Sequence, residues 1–356
     1  MTEYARHASP GFNLRMDQDL ALLARDVRAL LGDAMEALVL GGGYGRGEGG
    51  VIVRDGIERP YNDLDLFLFV RPGTRVPAGR LQAILESHAQ RLGLHVDVSR
   101  PIRLAEVPRW PHALIWQDLL DGHAVLAGPG DVLACRAPAW TGCPLPAVEA
   151  TRLLLNRGAG LLWAMRVSRG AETAPDPEFV RRNAYKAALA LGDALLILHG
   201  RYDSRCEGRD SRLAVLAEER EDVRALDVTG WHAEGLRFKF RPDRSPRQDW
   251  TAGDLEGVCR ACVRVFLAVE ASRHGRPFPD PAAYRAWDGD REPADGGMAR
   301  RMSNLARSLR RGGCTTRSPR DALYRELPGL LDPDAFGNPG WTGTSAAWLA
   351  RWKRLP

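Results

Sequence analysis

Three aspartates set in two short hydrophobic runs are the residues of this chain best placed to do chemistry. In Asn62-Asp63-Leu64-Asp65-Leu66-Phe67-Leu68-Phe69-Val70 two acids stand at i and i+2. Side chains alternate along a strand, so Asp63 and Asp65 share one face while Leu64, Leu66 and Leu68 point from the other into a core. Two neighbouring carboxylates repel unless cations neutralise them, and hard cations that favour oxygen ligands, above all Mg²⁺ shared with substrate phosphates, are the expected partners. A third acid, Asp97, lies in Leu94-His95-Val96-Asp97-Val98. That run also alternates, and a neighbouring strand position would bring Asp97 beside the pair. Three carboxylates could hold two metal ions and deprotonate a hydroxyl nucleophile.

Upstream, Leu38-Val39-Leu40 runs straight into Gly41-Gly42-Gly43, which reads as a buried strand opening into a turn that no side chain obstructs. Glycines at such a turn let backbone N–H groups approach phosphate oxygens. Between the glycines and the acids, two short runs at 51–54 and 57–59 flank Asp55-Gly56, a strong signal for a hairpin with a two-residue turn. Pro60 is tolerable because such a hairpin can lie at a sheet edge.

The elements that must position these residues follow from periodicity. Residues 1–15 look flexible, and an amphipathic helix is expected from Met16 to Leu31, with Leu20, Leu23, Val27, Leu30 and Leu31 on one stripe and Gly32-Asp33 ending it. A helix over 78–92 leads into the Asp97 strand. Residues 101–130 predict a short helix, a turn and a last strand, which closes a first domain over 16–134. A proline- and glycine-rich linker at 135–147 precedes an α-helical domain at 148–275, whose segments 148–166, 178–200 and 253–273 carry apolar residues at three and four spacing. Cys259 and Cys262 share one face of the last of these, as packing residues and not as a metal pair. An irregular segment at 276–298 and a basic helical extension at 299–356 complete the chain, with Arg300, Arg301, Arg307, Arg310 and Arg311 clustered and Trp341, Trp348 and Trp352 docking a small helix. The fold class expected is α+β, a mixed sheet with flanking helices followed by a helical bundle.

In order, Gly42-Gly43-Tyr44-Gly45-Arg46-Gly47-Glu48, then Asp63-Leu64-Asp65-Leu66, then Val96-Asp97-Val98 resemble the nucleotidyltransferase superfamily that includes DNA polymerase β and the aminoglycoside nucleotidyltransferases. Members transfer a nucleoside monophosphate from an NTP to an acceptor, usually a hydroxyl. The resemblance covers roughly residues 20–130 and implies that Asp63, Asp65 and Asp97 are both catalytic residues and ligands of two Mg²⁺ ions, with Mn²⁺ as a substitute. It places Gly42 and Gly43 against the triphosphate and makes Tyr44, Arg46 and Glu48, in the same loop, further nucleotide-binding candidates, Arg46 by position only. Two departures stand out: the hairpin lengthens the spacing to Asp63, and Gly43 occupies a position where many members have Ser. In several families that resemble the first domain, a helical unit supplies acceptor specificity, and by that analogy Asn156, Arg157, Tyr185, Lys186 and Asp193 are acceptor or nucleotide candidates. Asp193 interrupts an apolar helix stripe, where a carboxylate is costly unless it is paired or bound.

Composition sets the outer bounds. At 356 residues the chain is long enough for two cores, and a hydrophobic content of 44% with 27% charged residues is that of an ordinary globular protein. A formal charge of +5 and a pI near 9.0 suit a polyphosphate substrate or RNA equally. Nothing resembles a signal peptide or a membrane span, so a cytoplasmic protein without a membrane partner is expected. Six scattered cysteines make no disulfide framework. The expected partners are an NTP, ATP first, and a hydroxyl-bearing acceptor. A small molecule ranks ahead of a protein side chain or RNA end, and nucleic acid is not favoured because no aromatics interleave with the arginines. The alternative reading is an inactive nucleotide sensor or antitoxin-like partner-binding protein on the same fold.

Overall fold

The structure is a computed structural model that describes residues 2–61, 63–292, 302 and 317–355. Its first helix, α1, spans Pro10–Leu31 and so begins at Pro10, ahead of the Met16 that periodicity suggests. The reason is local: the Ser9 side chain accepts the Phe12 N–H as an N-cap, and Pro10 fits the first turn, where its missing N–H costs nothing. The residues before it are tied down. Tyr4 and Ala5 are buried, and both donate their backbone N–H to Asn13 Oδ1, at 2.7 and 3.0 Å.

After α1 come β1 (Met35–Leu40), a single turn of helix α2 (Gly42–Gly45), β2 (Val51–Arg54), β3 (Ile57–Pro60), β4 (Leu64–Val70), α3 (Ala78–Leu92), β5 (Val96–Val98), α4 (Leu114–Asp121) and β6 (Ala124–Ala127). Four strands form one mixed sheet in the order β5-β4-β1-β6, with β1 antiparallel to both β4 and β6 and β4 parallel to β5. The parallel pair needs a crossover, and α3 provides it. Period-two alternation sorts the side chains. Leu64, Leu66 and Leu68 join Leu38, Leu40 and Val96 in a core with Leu20, Leu23 and Leu85 of the helices. Ala37, Val39, Phe67 and Phe69 face the other way and are covered by Ile102, Val107, Trp110 and Leu119. Each buried leucine contributes about 2 kcal/mol, and a slip of one residue in β4 would drive Asp65 into the leucine core. Register and the direction of the acid are therefore one choice.

The hairpin β2–β3 forms a separate two-stranded sheet. Its turn residues Asp55 (φ 53°) and Gly56 (φ 75°) both lie in the left-handed region that a type I′ turn demands. The hairpin is fastened at both ends: the Ser9 N–H donates to the Glu58 carboxylate at 2.8 Å, and the Tyr44 hydroxyl donates to Gly50 O at 2.6 Å while accepting the Tyr61 N–H at 2.9 Å.

The rest of the chain is helical: α5 (Val148–Ser168), α6 (Phe179–Leu198), α7 (Arg209–Glu219), α8 (Glu221–Arg224), α9 (Thr229–Phe240), α10 (Ala252–His274), α11 (Pro281–Ala286), and the helices Asp321–Leu331 and Trp341–Trp352. The architecture is mixed α+β. Contacts divide it into two units, one of Met1–Leu145, Asp203–Arg209 and Leu236–Pro246, the other of Pro146–Tyr202, Asp210–Gly235 and Arg247–Pro356. Two short stretches that periodicity groups with the helical domain thus cluster with the sheet. Within the second unit Cys259 and Cys262 are buried on α10, and burial pushes the Cys262 thiol up to about 12, as fits packing residues. Trp341 and Trp348 are buried, their indole N–H groups donating to Leu330 O and Leu323 O. The cluster Arg300, Arg301, Arg307, Arg310 and Arg311 lies outside the described residues, as do Asn62 and residues 293–298 of the expected irregular segment. No helix among the described residues is long and apolar enough to cross a membrane.

Because Tyr4 is buried and its hydroxyl donates to Asp17 at 3.0 Å, Tyr4→Ala should lower unfolding stability by about 3–5 kcal/mol. Urea denaturation checks this, and an unshifted midpoint would show that the N-terminal segment carries no load.

Candidate functional site

Asp65 is the second residue of β4 and Asp97 the second of β5, and the parallel register sets them directly opposite one another. Adjacent strands lie about 4.8 Å apart, so the two acids are side by side at one edge of the sheet. Asp65 is half-buried; Asp97 is exposed, with His95 Nε2 at 3.0 Å from its Oδ1. Asp63 is also exposed and stands just before the strand, because the β4–β5 ladder begins where the Leu64 N–H donates to His95 O at 2.9 Å.

The glycine turn is fastened to the same strand, the Gly41 N–H donating to Asp65 O at 2.8 Å. Gly42 has φ +59°, and a Cβ placed on it would run into Asp65 Oδ2. Only glycine lets the backbone pass that close to the carboxylate. At Gly43 a Cβ would stand 3.1 Å from Glu48 O and 3.2 Å from Lys239 Nζ. The carbonyls of Gly41, Gly42 and Gly43 are used within the loop, accepting from Gly45, Arg46 and Glu48. The N–H groups of Gly42 and Gly43 donate to no backbone acceptor among the described residues.

Glu48 has another task than the one the loop motif implies. Its carboxylate is wholly buried and accepts the backbone N–H of Cys206, at 2.9 and 3.0 Å to its two oxygens, and of Glu207 at 3.2 Å. Arg46 lies 3.8 Å from it and 3.5 Å from Asp118, so this guanidinium is engaged by two carboxylates and is itself nearly buried. Tyr44, buried as well, pins the hairpin. The segment 203–209 is rigid by construction: Arg209 donates to the carbonyls of Asp203 and Ser204, both at 2.8 Å, and the Ser204 hydroxyl donates to Asp121 at 2.5 Å. Burial alone would push the Glu48 carboxyl up, yet the two backbone donors, with Lys239 and Arg46 nearby, outweigh it and hold the group below the usual carboxylate range.

Sequence reasoning did not reach Lys239, Asp118 or the 203–209 segment. Lys239 and that segment are distant along the chain from the glycine turn, and no local spacing connects them to it. The one clue was Glu48 itself, an acid in a tight glycine run with no basic neighbour except Arg46.

Of the candidates in the second unit, Asn156 and Arg157 are exposed on α5, and Lys186 is half-buried on α6. Tyr185 is fully buried, its hydroxyl donating to Arg247 O at 3.1 Å and accepting the Arg247 N–H at 3.0 Å. Asp193 is buried too, and His232 of α9 meets it with Nε2 at 3.1 Å from Oδ1. The carboxylate on the apolar stripe thus has an imidazole partner that its own helix does not provide.

Among the described residues no three His, Cys, Asp or Glu side chains gather as a metal cage. Two facing carboxylates, Asp65 and Asp97, nonetheless suit Mg²⁺, which commonly takes one or two carboxylates and completes its shell with substrate phosphates and water. No protein-family model matches the chain, and no curated protein matches it.

Glu48→Ala would strand the Cys206 and Glu207 N–H groups and leave Arg46 short of a partner. It should cost roughly 3–5 kcal/mol of stability, read from urea denaturation. In the wild type, a carboxyl lowered in the folded state contributes stability that is complete above its unfolded value near 4.5 and is lost as pH falls through the lower folded value. The acid limb of a thermal-stability profile should therefore be shallower in Glu48→Ala, and coincident limbs would refute the role given to Glu48.

Proposed function

We propose that the first unit is a Mg²⁺-dependent nucleotidyltransferase domain, with a helical domain following it in the chain. It would transfer a nucleoside monophosphate from an NTP, ATP first, to a hydroxyl acceptor and release pyrophosphate. The observation that carries this reading is the in-register pair Asp65 and Asp97, with the Gly42 backbone pressed against Asp65. A small-molecule acceptor ranks first, ahead of a protein side chain or an RNA end.

On this reading Asp63, Asp65 and Asp97 would hold Mg²⁺, which when bound would neutralise charge on the phosphates. The N–H groups of Gly42 and Gly43 bind phosphate oxygens, to which a Gly-only turn gives close approach. Asp97, exposed at the sheet edge, takes the proton of the acceptor hydroxyl. The hydroxyl oxygen forms a bond to the α-phosphorus in line with the departing oxygen, and the bond to pyrophosphate breaks.

A second reading, a nucleotide sensor or antitoxin-like binding protein, is favoured by one feature: Asp63 lies outside the strand ladder that aligns the other two acids.

Calorimetric titration with each of the four NTPs, with Mg²⁺ and with EDTA, tests the donor site. One NTP should bind with a Kd below about 1 mM in the presence of Mg²⁺ only, and Asp65→Asn should weaken it at least about tenfold, a charged contact being lost. Asp97→Asn should lower pyrophosphate release at saturating Mg²⁺ and NTP by roughly 100-fold or more, the usual worth of a general base. Absence of binding by every NTP would overturn the nucleotide reading; binding without pyrophosphate release across an acceptor screen would support the sensor.

A further inference from the structure

Three of the 50 basic residues of the chain are lysines, Lys186, Lys239 and Lys353. Lys353 lies over the Trp163 ring at 3.5 Å, and Lys186 is half-buried on α6. Lys239 is different. It is half-buried, its ammonium stands 3.2 Å from the place a Gly43 side chain would begin, and its charge acts on the buried Glu48 carboxylate without a hydrogen bond or close ion pair among the described residues. An ammonium carries three donors, so it can balance a carboxylate at a distance and still receive a second anion.

Resting on the nucleotidyltransferase reading of the same site, we infer that Lys239 is the cationic contact for the donor's polyphosphate, occupying the space that the absent side chain at position 43 leaves.

Four observations carry this. The glycine turn has a metal-ligand type of carboxylate, Asp65, against Gly42 and an ammonium against Gly43, so a phosphate chain lying along the turn meets both kinds of ligand. The two backbone N–H groups of the turn are the remaining donors there. Arg46, the cation that the loop motif itself offers, is held in close ion pairs by Glu48 and Asp118, whereas Lys239 makes no close ion pair among the described residues. Lys239 is also placed precisely enough to matter, between two anchored aromatics: Phe238 is buried and edge-on to Tyr61, and Phe240 packs on His7 with ring centroids 4.6 Å apart. Just beyond, Arg241 pairs with Asp243 at 3.0 Å and donates to His7 O at 3.4 Å, which fixes the segment to the sheet unit. A compact ammonium on a flexible stem is well suited to phosphate as a point charge. Lys239 helps Arg46 to balance the buried Glu48 charge, but that carboxylate takes its hydrogen bonds from the Cys206 and Glu207 N–H groups, which leaves the ammonium donors for a second anion.

The test uses the full chain with inorganic tripolyphosphate and with the Mg²⁺–NTP identified by calorimetry. Lys239→Met should weaken both by roughly 10- to 100-fold, the worth of a hydrogen bond to a charged group, while Lys239→Arg stays within a few-fold of wild type. Amine labelling of the unaltered protein gives a readout that needs no variant. Either ligand should slow modification of Lys239 and leave Lys353 as an internal control. Wild-type binding that depends on Asp65 but is unchanged in Lys239→Met, or Lys239 labelling at the same rate with and without ligand, would overturn this inference and leave the nucleotidyltransferase reading in place. No binding of any NTP or of tripolyphosphate to the wild type would overturn both.

Discussion

A carboxylate with no exposed surface must be met by donors, and the way Glu48 is met organises the first unit. Two backbone N–H groups from 206 and 207 and the Arg46 guanidinium surround it, and its own backbone bridges to Ala5 and donates to Gly43 O. One residue therefore joins the N-terminal segment, the glycine turn and a stretch of chain more than 150 residues away. Hydrogen bonds to a buried charge are among the stronger ones, roughly 1.5–3 kcal/mol each, and leaving such a group unmet costs more than the bond gains. That asymmetry makes the 203–209 segment part of the sheet unit, although it follows a helix of the other.

The glycine turn is the second consequence. With Glu48 fixed and the Gly41 N–H bonded to Asp65 O, the turn can only run between the Asp65 carboxylate and the Lys239 ammonium. The Asp65 carboxylate leaves no room for a side chain at 42, and Glu48 O with the Lys239 ammonium leaves little at 43. The hairpin does not enter this arrangement directly. Through Tyr44 and Ser9 it braces the turn and the start of α1, which gives the inserted strands a supporting role.

In the second unit buried polar groups are also paired, which is how a helical core admits them. Asp193 has His232. Glu270, fully buried on α10, accepts from Thr151 at 2.6 Å and from Tyr284 at 2.7 Å and pairs with Arg273. Arg291, equally buried, donates to the carbonyls of Tyr284 and Trp287 and covers both rings. Each of these joins different helices or turns, so the polar groups choose among packings that apolar periodicity alone would leave equivalent.

What the sequence by itself determined was whatever depends on neighbours in the chain. Alternation in 64–70 set which residues face the leucine core and which face aside with Asp65; Asp55-Gly56 set the turn; helix periodicity located 78–92 and the long helices beyond 148. It also placed Asp97 on a strand, and the parallel register then brought it opposite Asp65. Periodicity overlooked the start of α1, although the Ser9-Pro10 cap was there to be read, because capping is signalled by one residue and not by a repeat. What only the tertiary structure decided was everything that rests on a partner far along the chain: the burial of Glu48, the commitment of Arg46 to Asp118, the pairing of Asp193 with His232, and the approach of Lys239 to Gly43. Local patterns report which face of an element is apolar. The identity of the group that meets a buried charge follows from which elements pack together, and that is fixed by shape and by the need to satisfy every buried donor and acceptor at once.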